Sequence, residues 1–91
     1  MCPECAMVFV FDQADRYGFW MRNMRFNIDI VWLRSGRIIF AERDVSPRSD
    51  NVMRPDGVAD MVVEFPAGTM RQNGWNIGDD IGSALFLVTD Q

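Results

Sequence analysis

Hydrophobic and polar residues alternate along the chain with the spacing of β-strands. In residues 27–33, Asp29 falls on the opposite face from Ile28, and residues 58–65 show the same two-residue period. Residues 6–11 form a continuous apolar run of strand length, rich in β-branched and aromatic side chains. Such a run is typical of a strand that is buried on both sides. The pattern therefore predicts at least three strands.

Turn residues separate these strands. The sequence Arg-Ser-Gly-Arg at 34–37 predicts a hairpin in which Gly36 takes a positive φ. Residues 38–43 then return as the antiparallel partner of the preceding strand. Residues 44–57 are rich in Ser, Pro, Asp, Asn and Arg, and predict a long surface loop.

A short helix and a last strand complete the predicted pattern. Residues 67–73 predict a helix with Pro66 near its first turn and Gly74 as a left-handed C-cap, and residues 81–88 predict a final strand. About five strands and one helix favour a mainly β fold, α+β at the margin, built as a small antiparallel β-sandwich or barrel. A chain of 91 residues with 48% hydrophobic content has material for one core, so residues 1–91 are predicted to form a single domain.

The charge of the chain excludes several function classes. The net charge is −4, all nine basic residues are Arg, and the chain has no His. An acidic domain repels the phosphate backbone, so we expect no nucleic-acid partner. The absence of His removes the commonest general base and metal ligand.

No apolar run is long enough to cross a bilayer and no signal peptide is evident, which predicts no membrane partner and, for the chain as written, a cytoplasmic location.

Cys2 and Cys5 have the spacing of half a zinc-ribbon site. The rest of the chain supplies no further Cys and no His, so a second pair of ligands is missing. We therefore expect no metal site and no cofactor.

Four motifs in order resemble those of the bacterial and archaeal domain of unknown function 192 (DUF192). They are Phe-Trp-Met-Arg-Asn at 19–23, Ile-Asp-Ile at 28–30, Val-Glu-Phe-Pro-Ala-Gly-Thr at 63–69 and Gly-Trp-Asn-Ile-Gly-Asp at 74–79. The resemblance implies a small β-rich, sandwich-like domain, and it implies no particular activity.

The chain departs from the family pattern at its start. Family members usually carry a further N-terminal strand, and often a secretory signal, before the segment that matches residues 6–11. The resemblance thus implies one of two things: Met1 is not the natural start, or one sheet edge is left unpaired. Because an unpaired apolar edge can pair with another copy of the chain, we expect a homo-oligomer.

Asp29 and Glu64 are the most informative polar residues, since each lies within an apolar strand. An ionised carboxylate there costs several kcal/mol unless it is paired or hydrogen-bonded. For Asp29 the sequence leaves two readings open: a structural one with donors from the turn that contains Arg22 and Asn23, and a ligand-facing one. Glu64 could join Asp29 in acid and base catalysis, as in glycoside hydrolysis, or form an ion pair with a cross-strand Arg.

Trp20, Met21 and Asn23 complete the candidate ligand site. Trp20 and Met21 could form a platform for a sugar or a peptide, although such residues are more often part of a core. Asn23 could serve a tight turn through local hydrogen bonds.

The leading hypothesis is a non-enzymatic β domain that self-associates and binds a small molecule, a carbohydrate or a partner surface around Trp20, Met21, Asn23, Asp29 and Glu64. One alternative is a small glycosidase-like hydrolase that uses the two carboxylates. A second alternative is a purely structural oligomerisation module.

Overall fold

The apolar strands of the chain lie side by side in one antiparallel sheet. The computed structural model describes residues 6–21, 24–49 and 52–82. The elements are listed in chain order as β1 Met7–Asp15, β2 Ile28–Arg34, β3 Arg37–Val45, β4 Ala59–Pro66 and α1 Thr69–Asn73. The order across the sheet is β1-β4-β2-β3, so β4 and β2 are central and the described strands do not close into a barrel. The prediction of a mainly β, antiparallel fold with one short helix is confirmed.

The hairpin between β2 and β3 forms at the predicted position. Ser35 and Gly36 both have positive φ, 52° and 83°, and Arg34 pairs with Arg37 across the turn. Two positive φ values give the loop the twist that right-handed strands require. The Ser-Gly pair therefore fixes where β2 ends and β3 begins.

The two central strands carry a core on each face of the sheet. Successive side chains of β2 point to opposite sides, and all but the last residue of β2 are buried. One core cluster consists of Val31, Leu33, Ile38, Val63, Phe65, Met70 and Ile81. The other consists of Met21, Ile28, Ile30, Trp32, Val45, Ala59 and Val62. A residue is therefore assigned to a face by its register in the sheet.

Strand β1 differs from its prediction. It is longer than residues 6–11, and it lies at the edge of the sheet rather than buried on both sides. Met7, Phe9 and Val10 are 39%, 37% and 69% exposed. The prediction of a fully buried strand was wrong because hydrophobicity alone does not tell whether a neighbouring strand covers an edge.

Helix α1 begins at Thr69, two residues after the predicted start, and its C-cap is the predicted one. Gly74 has φ 66° and donates its backbone N–H to the carbonyls of the last turn, so it forms the expected left-handed C-cap. At the other end, Gly68 provides no side-chain cap. The predicted strand at 81–88 falls largely outside the described residues, as do Cys2 and Cys5. Among the described residues, no helix has the length and hydropathy needed to cross a membrane.

Candidate functional site

Asp29 is buried in the middle of the sheet and is fully hydrogen-bonded. Its side chain is 1% exposed. Oδ1 accepts a hydrogen bond from the backbone N–H of Asp44, and Oδ2 accepts one from the backbone N–H of Met70, each at 3.0 Å. Two N–H donors offset much of the cost of removing a carboxylate from water. The sequence predicted backbone or Arg donors for Asp29, but it expected them near Arg22 and Asn23, which lie outside the described residues.

A β-bulge places the first donor. Ile28 pairs with Val45 and Ile30 pairs with Glu42, so two residues of β3, at 43 and 44, oppose Asp29. Asp44 has φ 52°, a left-handed conformation that Asp adopts more readily than most residues. Asp44 therefore directs its backbone N–H to the side chain of Asp29 instead of to a cross-strand carbonyl.

The first turn of α1 places the second donor. The first N–H groups of a helix have no partner within the helix, and Gly68 supplies no side-chain acceptor. The Oδ2 atom of Asp29 takes that role for Met70, whose backbone bond to it is buried. Asp29 therefore connects β2 to both the bulge in β3 and the start of α1.

A polar cleft of about 250 Å³ opens beside this connection. The residues that line the cleft, which we call the Asp29 cleft, are Asp29, Arg43, Asp44, Ala67, Gly68 and Arg71. Nη2 of Arg43 donates to the carbonyl of Trp75 at 2.8 Å and to Oδ1 of Asn76 at 3.3 Å, which holds the guanidinium in place. Arg71 is exposed on α1. Within the described part of the chain, neither guanidinium forms an ion pair with a carboxylate.

Glu64 lies on the opposite face of the sheet. It pairs with Ile30 of β2 and with Met7 of β1, whereas Asp29 pairs with Phe65. Because cross-strand partners share a face and neighbours along a strand do not, the two carboxylates point away from each other. Glu64 is 2% exposed and accepts no hydrogen bond from another described residue. Burial raises the pKa of the Glu64 carboxyl from 4.5 to about 7.

Comparison with known proteins identifies the family of the chain. The model of the DUF192 family, described as "Uncharacterized ACR", matches residues 1–83. The chain belongs to the DUF192 family. No curated protein matches it. The resemblance seen in the four sequence motifs is thus confirmed.

Two solved structures resemble this DUF192 chain. A candidate transcription regulator from Sinorhizobium meliloti matches with 27% identity and a TM-score of 0.80, over 88% of this chain and 63% of its own. A protein of unknown function from Novosphingobium aromaticivorans matches with 25% identity and a TM-score of 0.76, over 82% of this chain and 54% of its own. The chain therefore spans less than two thirds of the length of either relative.

The other predicted site residues that the structure describes do not lie at the Asp29 cleft. Met21 is 0% exposed and belongs to the core cluster on the Glu64 face, whereas Trp20 is 48% exposed. Asn23 lies outside the described residues. Of the four predicted residues that the structure describes, Asp29 alone lines the cleft.

Sequence reasoning missed the charged residues that surround Asp29 in the DUF192 fold. Arg43 ends the predicted strand and Asp44 begins the predicted loop, and Arg71 lies in a helix of five residues. The left-handed Asp44 and the bulge appear only once β3 is aligned on β2. The Ser, Pro and Asp content after residue 44 marked the end of the strand but gave no sign of a site.

An apolar groove of about 180 Å³ lies beside strand β1. Its lining residues are Phe9, Phe11, Tyr17, Gly18, Phe19 and Val62. The rings of Phe11 and Tyr17 stack at a centroid distance of 3.7 Å. A backbone bridge between Phe19 and Met53 ties the segment after β1 to the long loop. The groove has few polar groups, so it offers burial but little orientation to a ligand.

Proposed function

We propose that this DUF192 domain is a non-enzymatic binding module that holds a small polar ligand in the Asp29 cleft. The observation that carries the proposal is that the backbone around the cleft is held by hydrogen bonds, while guanidinium N–H donors in the cleft remain available to a ligand. Asp29 fixes the bulge and the start of α1 through two backbone hydrogen bonds, and two guanidinium groups face the space between them. A site whose walls are held before a ligand arrives loses little conformational freedom on binding.

The hydrolase alternative has less support. Glycoside hydrolysis needs two carboxyl groups on either side of one bond, about 5 to 9.5 Å apart and facing the same substrate. Asp29 and Glu64 point to opposite faces of the sheet, so no single substrate can lie between them. Among the described residues, those that line the Asp29 cleft include no His, Cys or Ser that could act as a nucleophile or base in their place.

A purely structural role is the remaining alternative for Asp29. Its two hydrogen bonds would suffice for that role, but they do not account for Arg43 and Arg71 beside it, neither of which pairs with a carboxylate of the described residues. The name of the Sinorhizobium meliloti relative suggests regulation of transcription. We do not extend DNA binding to this chain, because its net charge of −4 opposes contact with phosphates.

Crystals soaked with a panel of small carboxylic acids, amines, alcohols and sugars test the proposal. We expect bound molecules in the Asp29 cleft, in contact with Arg43 or Arg71. A panel that leaves the cleft empty, or that occupies only the apolar groove beside β1, would contradict the proposal. In that case the structural role of Asp29 would be the whole of its function.

We also propose that the domain self-associates through the outer edge of β1. Strand β1 pairs with β4 on one side, and no other described strand covers its second side. The opposite edge of the sheet is different, because Ile38 of β3 exchanges hydrogen bonds with Gly78 and Asp79. An open edge with exposed apolar side chains is the usual site of strand pairing between molecules. Sedimentation of the intact chain gives the test, and a 10.5 kDa monomer at micromolar concentration would exclude the proposal.

A further inference from the structure

We infer that the ligand of the Asp29 cleft is a small zwitterion of amino-acid size, with its anionic group at the two arginines and its cationic group at Asp44. This inference rests on the proposed binding function and adds the chemical class of the ligand. It depends on which polar atoms of the cleft are already engaged within the protein and which remain for a ligand.

The arginines provide the available donors. Arg43 uses Nη2 for Trp75 and Asn76, and its other N–H groups donate to no described residue. The guanidinium of Arg71 makes no hydrogen bond within the described part of the chain. A guanidinium presents its N–H groups in a planar fork that matches the two oxygens of a carboxylate. The arginine side of the cleft therefore suits an anionic group.

Asp44 provides the available acceptor. Both oxygens of Asp29 already accept hydrogen bonds from backbone N–H groups. Asp29 therefore positions the backbone around the cleft and is not assigned a contact with the ligand. In Asp44, Oδ1 accepts a hydrogen bond from Nδ2 of Asn27 at 2.8 Å, and no described residue donates to Oδ2. An exposed carboxylate with a free oxygen suits an ammonium group.

The charge balance and the size of the cleft narrow the ligand further. Among the described residues that line the cleft, there are two guanidinium groups and two carboxylates, so their formal charges cancel. A simple anion would be repelled by Asp44, and a simple cation would be repelled by the arginines. A zwitterion can place its anionic group at the arginines and its cationic group at Asp44. A volume of about 250 Å³ has room for roughly eight water-sized groups at about 30 Å³ each. A free amino acid, or a compound of similar size, fits that space.

Three probes of matched shape test the inference. β-Alanine carries both charges, propionate lacks the ammonium group and propylamine lacks the carboxylate. We would titrate each into the ¹⁵N-labelled chain at constant ionic strength and follow the backbone amides of Asp44, Gly68 and Met70. Each charge-assisted contact should contribute about tenfold in affinity, so β-alanine is expected to bind about tenfold more tightly than either partial analogue.

Variants identify the two ends of the site. Arg71→Gln should weaken β-alanine about tenfold. Arg34→Gln, an exposed arginine at the far end of β2, should change nothing. Asp44→Asn keeps an oxygen for Asn27 and tolerates the left-handed backbone, and it should abolish the advantage of β-alanine over propionate.

The possible results separate this inference from the proposal on which it rests. Equal binding of propionate and β-alanine to the wild-type chain would overturn the zwitterion and leave the binding module standing. If none of the three probes binds but soaked crystals show other fragments in the cleft, the zwitterion is likewise overturned and the binding module stands. If the probes and the soaked fragments all leave the cleft empty, both proposals are overturned.

Discussion

The carboxylate of Asp29 accepts a hydrogen bond from the backbone N–H of Met70, a residue 41 positions further along the chain. This bond joins the central strand β2 to the first turn of α1. Its counterpart from Asp44 joins β2 to the bulge in β3. One side chain thus sets the relative positions of three elements, and the polar cleft lies where they meet.

Asp29→Asn should destabilise the fold strongly. An amide can accept from one of the two backbone N–H groups, but its own NH₂ then faces the other, which leaves a buried donor unsatisfied. We expect the free energy of unfolding to fall by about 2 to 4 kcal/mol, measured by urea denaturation.

Asp60→Asn is the matched control for that substitution. Asp60 is half-buried, and it accepts from the backbone N–H of Ser35 at 3.2 and 3.3 Å in a solvent-exposed hydrogen bond, so its loss should cost less than about 1 kcal/mol. If the two variants were equally stable, the buried bonds of Asp29 would not have the importance assigned to them.

Glu64 should make stability depend on pH. Burial raises the pKa of Glu64 in the folded state from its ordinary 4.5 to about 7. At a pH between these two values, Glu64 is protonated in the folded state and ionised in the unfolded chain. The stabilising contribution of the proton is complete below the unfolded pKa and is lost as pH rises through about 7. The full loss is about 3 kcal/mol.

Glu64→Gln isolates this effect, because the amide does not titrate. Relative to the wild-type chain, the variant should gain about 2 to 3 kcal/mol in unfolding free energy at pH 8 and differ by less than about 1 kcal/mol at pH 5. Urea denaturation across this range gives the difference. A constant difference between variant and wild type would show that Glu64 titrates outside it.

Val10→Lys should prevent self-association. Val10 is 69% exposed on the open edge strand β1, and a charge there opposes strand pairing between molecules. We expect sedimentation equilibrium to show a dissociation constant raised at least about tenfold. Ile77→Lys places the same charge at a site that is 63% exposed and away from β1, so it should leave association unchanged. If both variants changed the dissociation constant equally, β1 would not be the interface.

Gly36→Ala should destabilise the hairpin more than Gly74→Ala destabilises the helix end. Both glycines have positive φ, 83° and 66°, and a side chain in that region costs about 1 to 2 kcal/mol. At Gly36 the added Cβ would also lie 3.2 Å from Cα of Gly82, whereas at Gly74 it meets nothing within 4 Å. Thermal unfolding of the two variants measures the difference, and a larger loss at Gly74 would contradict the packing around the turn.

Local chemistry explains which parts of the fold could be predicted. Gly36 and Gly74 take left-handed backbone conformations that few residues other than Gly adopt, so the sequence marks both the hairpin and the helix end. The burial of Asp29 could be predicted because the residues on either side of it in the strand are apolar. These features need no knowledge of distant contacts.

The faces of Asp29 and Glu64 depend on register, which the sequence does not contain. A shift of one residue between β2 and β4 would bring the two carboxylates to the same side of the sheet, as the hydrolase hypothesis required. The pairings of Asp29 with Phe65 and of Ile30 with Glu64 exclude that arrangement. The bulge at Asp44 is likewise a product of tertiary packing, so the arginine side of the cleft could not be found in advance.

Chemical-shift mapping with the same panel of small carboxylic acids, amines, alcohols and sugars is the most direct test of ligand binding in the Asp29 cleft. We expect the perturbed amides to cluster at Asp44, Gly68 and Met70, Arg71→Gln to suppress these shifts, and Arg34→Gln to preserve them. Shifts that cluster instead around Phe9, Phe11 and Tyr17, or that survive the loss of Arg71 unchanged, would contradict it.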